Sequence, residues 1–253
     1  MKAVVLAAGY ATRLRPLTDA VPKQLLPVGG RPMLDWILDK VRELEPDEIH
    51  LVTNARFTRD FERWAEGTNV RVHDDGTTSN DDRLGAVGDL RFLQERADLD
   101  TDVLVIAGDN LFDFSLCDYS DWWRAKNGSA VAVYDVGDAA LATQYGIVAV
   151  DELERIVEFV EKPADPPSTL AATAAYLFRR EHAQLVAPYL DEGNPPDQPG
   201  NFVAWLCARE PVYAYRIAGG WWDIGDHGQL LEADNRMRAR SGLPVRDTYS
   251  LQS

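Results

Sequence analysis

Short apolar, β-branched runs alternating with helix-patterned stretches constrain this chain more than any other feature. Residues 3–7, 48–53, 70–73 and 103–107 read as strands. Residues 32–44, 58–66, 83–96 and 117–126 read as the helices between them. Such alternation builds a mostly parallel sheet covered on both faces. Ligands of open α/β sheets sit outside the carboxyl ends of the strands. Two strand ends here carry polar or small residues, at 8–13 and at Gly108-Asp109-Asn110, so both are placed at one pocket.

The second half reads differently. Strands are expected at 130–135, 146–150, 155–161, 172–178 and 212–217, and helices at 181–190, 201–209 and 226–240. The last helix opens with Asp226 and Gln229 at capping-box spacing. The expected fold class is α/β: a Rossmann-like, mostly parallel mixed sheet with helices on both faces. A smaller mixed β lobe packs on it rather than forming an independent domain. One domain is expected over 1–241, with halves of about 1–128 and 129–241, followed by an aperiodic, mobile tail over 242–253.

Composition removes several classes of function. The net charge of −15 opposes nonspecific nucleic-acid binding, which needs a basic face to displace counterions. Cys117 and Cys207 lie far apart, and the four histidines are scattered, so neither a disulfide framework nor a Cys/His metal site is expected. No apolar run approaches the roughly 20 residues of a membrane span. The opening MKAVVLAAG leads into a strand rather than a signal peptide. A cytoplasmic protein with no membrane partner is expected, and a homo-oligomer is left open. Only five of the 26 basic residues are lysines, and two of these adjoin proline, in Pro22-Lys23 and Lys162-Pro163.

The first strand end reads VLAAGYATRLRPLT over 5–18, followed by Val21-Pro22-Lys23. Small residues let backbone N–H groups approach a ligand, and a row of unpaired N–H groups cradles anions. Arg13 and Lys23 add full positive charge beside that row. In so acidic a chain this points to a polyphosphate; the alternative is a strand–loop corner with surface arginines. The string matches neither G-x-G-x-x-G nor G-x-x-x-x-G-K-[ST].

It does resemble the signature of the sugar-1-phosphate nucleotidyltransferases (NDP-sugar pyrophosphorylases), G-x-G-T-R-L-x-P-L-T followed by P-K. Ala11 stands where that signature has its second glycine, and it keeps the loop close to phosphate only with a negative φ. VLVIAGDNLF (103–112), GGWWDIGD (219–226), VEFVEKP (157–163) and Tyr145-Gly146 resemble further family elements in the family's order, so the likeness spans about 2–229. By that resemblance Ala7, Ala8, Gly9, Tyr10, Ala11 and Thr12 seat a nucleotide. Arg13, Lys23 and Lys162 are catalytic, and Asp109 and Asp223 hold Mg²⁺. Tyr145, Gly146, Glu161, Lys162 and Thr173 bind the sugar phosphate, with Gly146 letting the sugar ring approach the backbone. Read without the resemblance, Asp109 would cap a turn and Glu161-Lys162 would be a solvated pair.

The segment 74–88, DDGTTSNDDRLGAVG, lies where the family reads the base, but lacks the glutamine and the P-x-G-L-A common there. Asn80 offers an amide to a pyrimidine edge, and Gly85 offers room for the ring; a polar turn ahead of a helix accounts for them equally. The implied reaction joins a nucleoside triphosphate (UTP or dTTP) to a sugar 1-phosphate (glucose 1-phosphate) and releases pyrophosphate. Alternatives are a cytidylyltransferase acting on phosphocholine or another alcohol phosphate, and a non-catalytic nucleotide-binding regulatory protein.

Overall fold

The computed structural model describes residues 1–251. In chain order its strands are β1 (Lys2–Leu6), β2 (Pro27–Val28), β3 (Arg31–Pro32), β4 (Ile49–Thr53), β5 (Val70–Asp74), β6 (Val103–Ala107), β7 (Asn110–Phe112), β8 (Ser129–Asp135), β9 (Gly146–Val150), β10 (Ile156–Glu161), β11 (Leu170–Phe178), β12 (Val212–Arg216) and β13 (Trp221–Asp223). Its helices are α1 (Met33–Arg42), α2 (Thr58–Ala65), α3 (Ala86–Ala97), α4 (Leu116–Arg124), α5 (Ala139–Ala142), α6 (Arg180–Ala183), α7 (Val186–Asp191), α8 (Pro199–Cys207) and α9 (His227–Arg240).

Nine strands form one sheet in the order β10-β9-β11-β6-β1-β4-β5, with β8 paired to β11 and β12 to β8. Strands β6, β1, β4 and β5 are parallel neighbours. The second half is therefore not a lobe packed on the sheet but its hydrogen-bonded continuation, because β11 runs antiparallel along β6 from Ala175↔Ile106 to Phe178↔Val103. The nine-residue apolar run LAATAAYLF is long enough to pair with β6, β8 and β9 together.

Successive side chains of a strand point to opposite faces. Val5 joins one core with Leu34, Ile37, Phe61 and Leu230; Val4 joins the other with Leu90, Leu93, Tyr189 and Phe202. Helix α1 buries Leu34, Ile37, Leu38 and Val41, an i, i+3, i+4, i+7 stripe. Each of those side chains contributes about 1.5–3 kcal/mol by leaving water.

Several expected elements change shape. The helix expected over 181–190 is two, α6 and α7, because Pro188 fits the first turn of a helix but not the interior of a longer one. The helix expected from 83 starts at Ala86, after Gly85 at φ +80°. The tail beyond α9 is docked: Arg246 donates to the fully buried Asp234 at 2.6 Å, and the Tyr249 hydroxyl to the Pro27 carbonyl at 2.9 Å. Aperiodic sequence is thus held by a buried ion pair rather than left mobile. Residues 252 and 253 of that tail lie outside the described residues. No helix among the described residues is long and apolar enough to cross a membrane.

Candidate active site

The carboxyl ends of the central strands open on one cavity of about 690 Å³, lined among others by Ala8, Gly9, Arg13, Asp109, Asp223, Tyr145, Glu161 and Lys162. An adjoining recess of about 270 Å³ adds Ala11, Thr12 and Lys23 and shares Gly9, Arg13 and Asp109. Sheet order sets the layout: the loop after β1 and the turn after β6 lie centrally, Asp75 follows the edge strand β5, and Glu161 ends the opposite edge strand β10.

In the loop, no backbone N–H from Ala8 to Ala11 donates to a protein acceptor among the described residues. Asn54 and the Thr18 hydroxyl fix the loop from behind by donating to the carbonyls of Ala8 (2.8 Å) and Ala11 (2.9 Å). A Cβ placed on Gly9 would meet nothing within 4 Å, so packing gives no reason for that glycine and the open cavity does. Ala11 has φ +45°, contrary to the negative value expected. That left-handed conformation costs a non-glycine residue roughly 1–2 kcal/mol and turns the chain into the 3₁₀ turn Thr12–Leu14 that presents Arg13. The Arg13 guanidinium lies over Gly225, 3.1 Å from where a Cβ there would stand, and has no ion pair among the described residues. Ala7 is a core residue, 2% exposed, and the Tyr10 ring is buried with its hydroxyl on Thr77 at 3.1 Å; neither side chain lines the cavity.

Asp109 and Asp223 are brought together by a two-stranded ribbon in which Asp223 pairs with Asn110 and the Ile224 N–H donates to the Asp109 carbonyl. The Asn110 amide donates to both carboxylates, at 3.0 Å and 3.4 Å, while its carbonyl accepts from the Trp221 indole at 2.7 Å. The buried Lys23 ammonium bonds Asp109 at 2.7 Å. Burial is the largest single influence on Asp109 and pushes its pKa up. The Lys23 charge and the hydrogen bonds from Lys23 and Asn110 outweigh it and hold the carboxyl below its usual value. Asp223 moves upward, first through burial and then through the charge on Asp109, against Lys23, Arg13 and Asn110. This donor set suits Mg²⁺: hard carboxylate oxygens that already gather a cation. No third His, Cys, Asp or Glu joins them among the described residues, so other positions would fall to phosphate oxygens and water.

At the β10 end, Glu161 is partly buried and has no hydrogen-bond partner among the described residues. Burial raises its pKa against the nearby Lys162 charge. Its Oε2 lies 2.8 Å from where a Cβ on Gly146 would stand and 2.6 Å from one on Gly200. The missing side chain of Gly146 therefore makes room for Glu161 and the Phe159 ring, at a residue that also lines the cavity. Lys162 is exposed at φ +47°, its backbone N–H tied to the Tyr145 carbonyl at 3.0 Å. Tyr145 packs edge-on against Trp221. Thr173 does not reach the cavity: it is 1% exposed and donates to the Ala132 carbonyl at 2.9 Å. The alternate residues Ala172, Ala174 and Tyr176 line the cavity instead.

At the β5 end, Asn80 is exposed and away from the cavity. Gly85 does line the cavity, but its missing side chain serves packing, since a Cβ would lie 2.6 Å from the Pro196 carbonyl oxygen and 2.7 Å from the Asp197 Cα. Sequence reasoning passed over Asn110, Gly200 and Asp89. Asn110 stood in the quoted motif, whereas Gly200 and Asp89 acquire meaning only through partners distant in sequence.

A loop of unpaired backbone N–H groups, a carboxylate pair and a basic residue thus surround one cavity at the strand ends of an α/β sheet. The chain belongs to the nucleotidyl transferase family, which it matches over residues 2–240. It is 31% identical over 239 residues to a UTP–glucose-1-phosphate uridylyltransferase of Synechocystis, covering 89% of this chain and 60% of that protein. It is 29% identical over 246 residues to the UTP–glucose-1-phosphate uridylyltransferase AglF of Haloferax volcanii, covering 94% and 97%. The chain spans 53–60% of the length of several other curated relatives. A solved UDP-glucose pyrophosphorylase complexed with UDP-glucose shares the fold at a TM-score of 0.79 and 21% identity, over 94% of this chain and 98% of that one.

Proposed function

We propose that this protein joins a nucleoside triphosphate, UTP or dTTP, to glucose 1-phosphate, giving an NDP-sugar and pyrophosphate. One observation carries the reading: a single cavity reaches the bare N–H row with Arg13, the Asp109–Asp223 pair, and the unpartnered Glu161 beside Lys162. The names of the two uridylyltransferase relatives favour the same substrates.

The nucleophile is a phosphate oxygen of the sugar phosphate. Its second pKa lies near ~6, so it is largely dianionic at neutral pH and needs no general base. It forms a bond to the α-phosphorus as the bond to the bridging β-phosphate oxygen breaks, and the electron pair leaves on pyrophosphate. The obstacle is repulsion: two unit charges 4 Å apart cost about 4 kcal/mol at an effective dielectric near 20, and several such pairs meet here. Positioning and neutralisation therefore carry the catalysis. The loop N–H groups seat the triphosphate and Arg13 stabilises the departing charge. Lys162 aims the sugar phosphate, while Glu161 accepts from sugar hydroxyls. Lys23 neutralises Asp109 and stands next to the transferred phosphate. Asp109 and Asp223 would hold Mg²⁺, whose contribution is charge neutralisation on phosphate oxygens.

Pyrophosphate release over a grid of UTP, dTTP, CTP, GTP and ATP against glucose 1-phosphate, other sugar 1-phosphates and phosphocholine tests the reading. The highest rate is expected with UTP or dTTP and glucose 1-phosphate. A phosphocholine-only activity, or no pyrophosphate in any cell of the grid, overturns it.

A further inference from the structure

Lys23 reaches Asp109 from a segment outside the nine-stranded sheet. It stands in the 3₁₀ turn Lys23–Leu25, which runs into β2 and β3, and those two short strands pair only with each other. Leu26 and Val28 anchor the segment in the core. Its partner is fixed elsewhere: the Asp109 carbonyl accepts from the Ile224 N–H, and Ile224 leads through Gly225 and Asp226 into α9. The meeting of ammonium and carboxylate therefore depends on how the β2–β3 hairpin sits on α9.

That seat is a polar hub around Asp234, two turns into α9 and fully buried. Its Oδ1 accepts from the Gly29 N–H at 2.9 Å, and its Oδ2 from Arg246 Nε at 2.6 Å. A Cβ on Gly29 would lie 2.5 Å from the Met237 Cβ, so the hairpin rests directly against the helix. Arg246 belongs to the tail, and its backbone N–H and carbonyl both bond the Asn235 side chain, each at 2.8 Å. Its guanidinium lies 4.5 Å from the centroid of the Tyr249 ring. The Tyr249 hydroxyl returns to the hairpin, donating to the Pro27 carbonyl at 2.9 Å. The tail thus ties α9 to the hairpin on the side away from the Lys23–Asp109 bond. A buried ion pair contributes little net stability, because desolvation offsets the attraction; its best-attested use is to fix one register. The register fixed here is that of the hairpin on α9, and six residues before Gly29 stands Lys23.

We propose that Arg246 is a positioning residue for the transfer: through Asp234 and the Gly29 N–H it holds the hairpin where Lys23 meets Asp109. The proposal rests on the nucleotidyltransferase reading and goes beyond it in giving the tail a part in the reaction. Arg246 lines neither the cavity nor its adjoining recess, so it acts through Lys23 and not on a substrate. A displacement of about 1 Å at a group that meets the reacting phosphate is enough to slow transfer on the order of a hundredfold.

A double-mutant cycle on pyrophosphate release by the whole protein tests this. Arg246→Ala is expected to lower kcat by about 10–100-fold and to leave the KM for glucose 1-phosphate unchanged, because Glu161 and Lys162 lie at the β10 end. In a Lys23→Ala background the same change should cost no more than about twofold, whereas a tail that only stabilised the fold would cost the same factor in both backgrounds. The same cycle on UTP affinity by calorimetry carries the test where Lys23→Ala turns over too slowly to measure. A melting curve verifies folding. If Arg246→Ala does not fold, Tyr249→Phe, which removes only the hydroxyl on Pro27, takes its place in the cycle and is read in the same way. Equal losses with and without Lys23, or wild-type kcat in the tail variant, overturn the proposal. The nucleotidyltransferase reading fails separately, by absence of pyrophosphate release from the wild type.

Discussion

One cavity holds two aspartate pairs, and they resolve the same repulsion in opposite ways. Asp109 and Asp223 have an ammonium on one member and an amide bridging both, so Asp109 is held below its usual pKa and the pair gathers cations. Asp75 and Asp89 have no cation, and burial followed by the neighbouring charge pushes Asp89 up to about 8. The same side chain is thus held toward its charged form at Asp109 and pushed toward its protonated form at Asp89. The surrounding donors, not the residue type, assign the role.

The largest effect expected from breaking this contrast is at the central pair. Asp109→Asn or Asp223→Asn leaves the ribbon intact but removes a charge from the cation site. Turnover should fall by at least about a thousandfold in a pyrophosphate-release assay with excess Mg²⁺. Near-normal rates in either variant would remove that residue from the cation-holding role. Asn110→Leu removes the bridge while keeping both carboxylates, and a loss of about 10–100-fold is expected. It should be accompanied by a higher Mg²⁺ requirement; an unchanged Mg²⁺ dependence would mean that the bridge does not orient the pair.

The third test moves to the β10 end, where a carboxyl is placed by shape rather than by charge. Gly200→Ala would put a methyl group 2.6 Å from Glu161 Oε2 and 2.7 Å from the Phe159 ring. Such overpacking costs about 1–3 kcal/mol, visible as a lower Tm. The KM for the sugar phosphate should rise more than that for the nucleotide. Equal rises in both would show that Glu161 does not belong to the sugar-phosphate end. Lys162→Ala should raise the same KM by about 10–100-fold, the worth of one charge-assisted hydrogen bond, with little change in Tm because the side chain is exposed.

The contrast also explains what the sequence disclosed. The strand–helix alternation was legible because local pattern determines it, and the sequence placed Arg13 and Asp109 at one pocket because both follow strand ends. Thr173 was misplaced because the side chains of β11 that face the cavity are the alternate set Ala172, Ala174 and Tyr176, and the apolar run around Thr173 does not disclose which set that is. The packing role of Gly85 and Gly146 was not legible, since the groups they accommodate, Pro196-Asp197 and Glu161, lie 15–112 positions away and meet them only after folding. Asp89 drew no reading from the sequence, because its partner Asp75 is brought near it only by folding. The tail was read as mobile because aperiodicity does not disclose a buried partner such as Asp234.

The smallest predicted effect separates the two pairs by pH alone. An aspartate whose folded pKa is raised from 3.8 to about 8 keeps its proton in the folded state after the unfolded chain has lost it. Between those values the folded state binds more protons than the unfolded state, so stability falls as pH rises. The contribution is fully present below about 3.8 and is lost as pH passes through about 8. Asp89→Asn removes the proton exchange and should flatten that part of the curve, so its Tm advantage over the wild type grows from pH 5 to pH 8. At the central pair the upward shift of Asp223 and the downward shift of Asp109 oppose each other, and Asp223→Asn should not produce the same steady gain across that window. A Tm difference between Asp89→Asn and wild type that stays constant from pH 5 to pH 8 would show that Asp89 is ionised throughout, and the two pairs would then be alike.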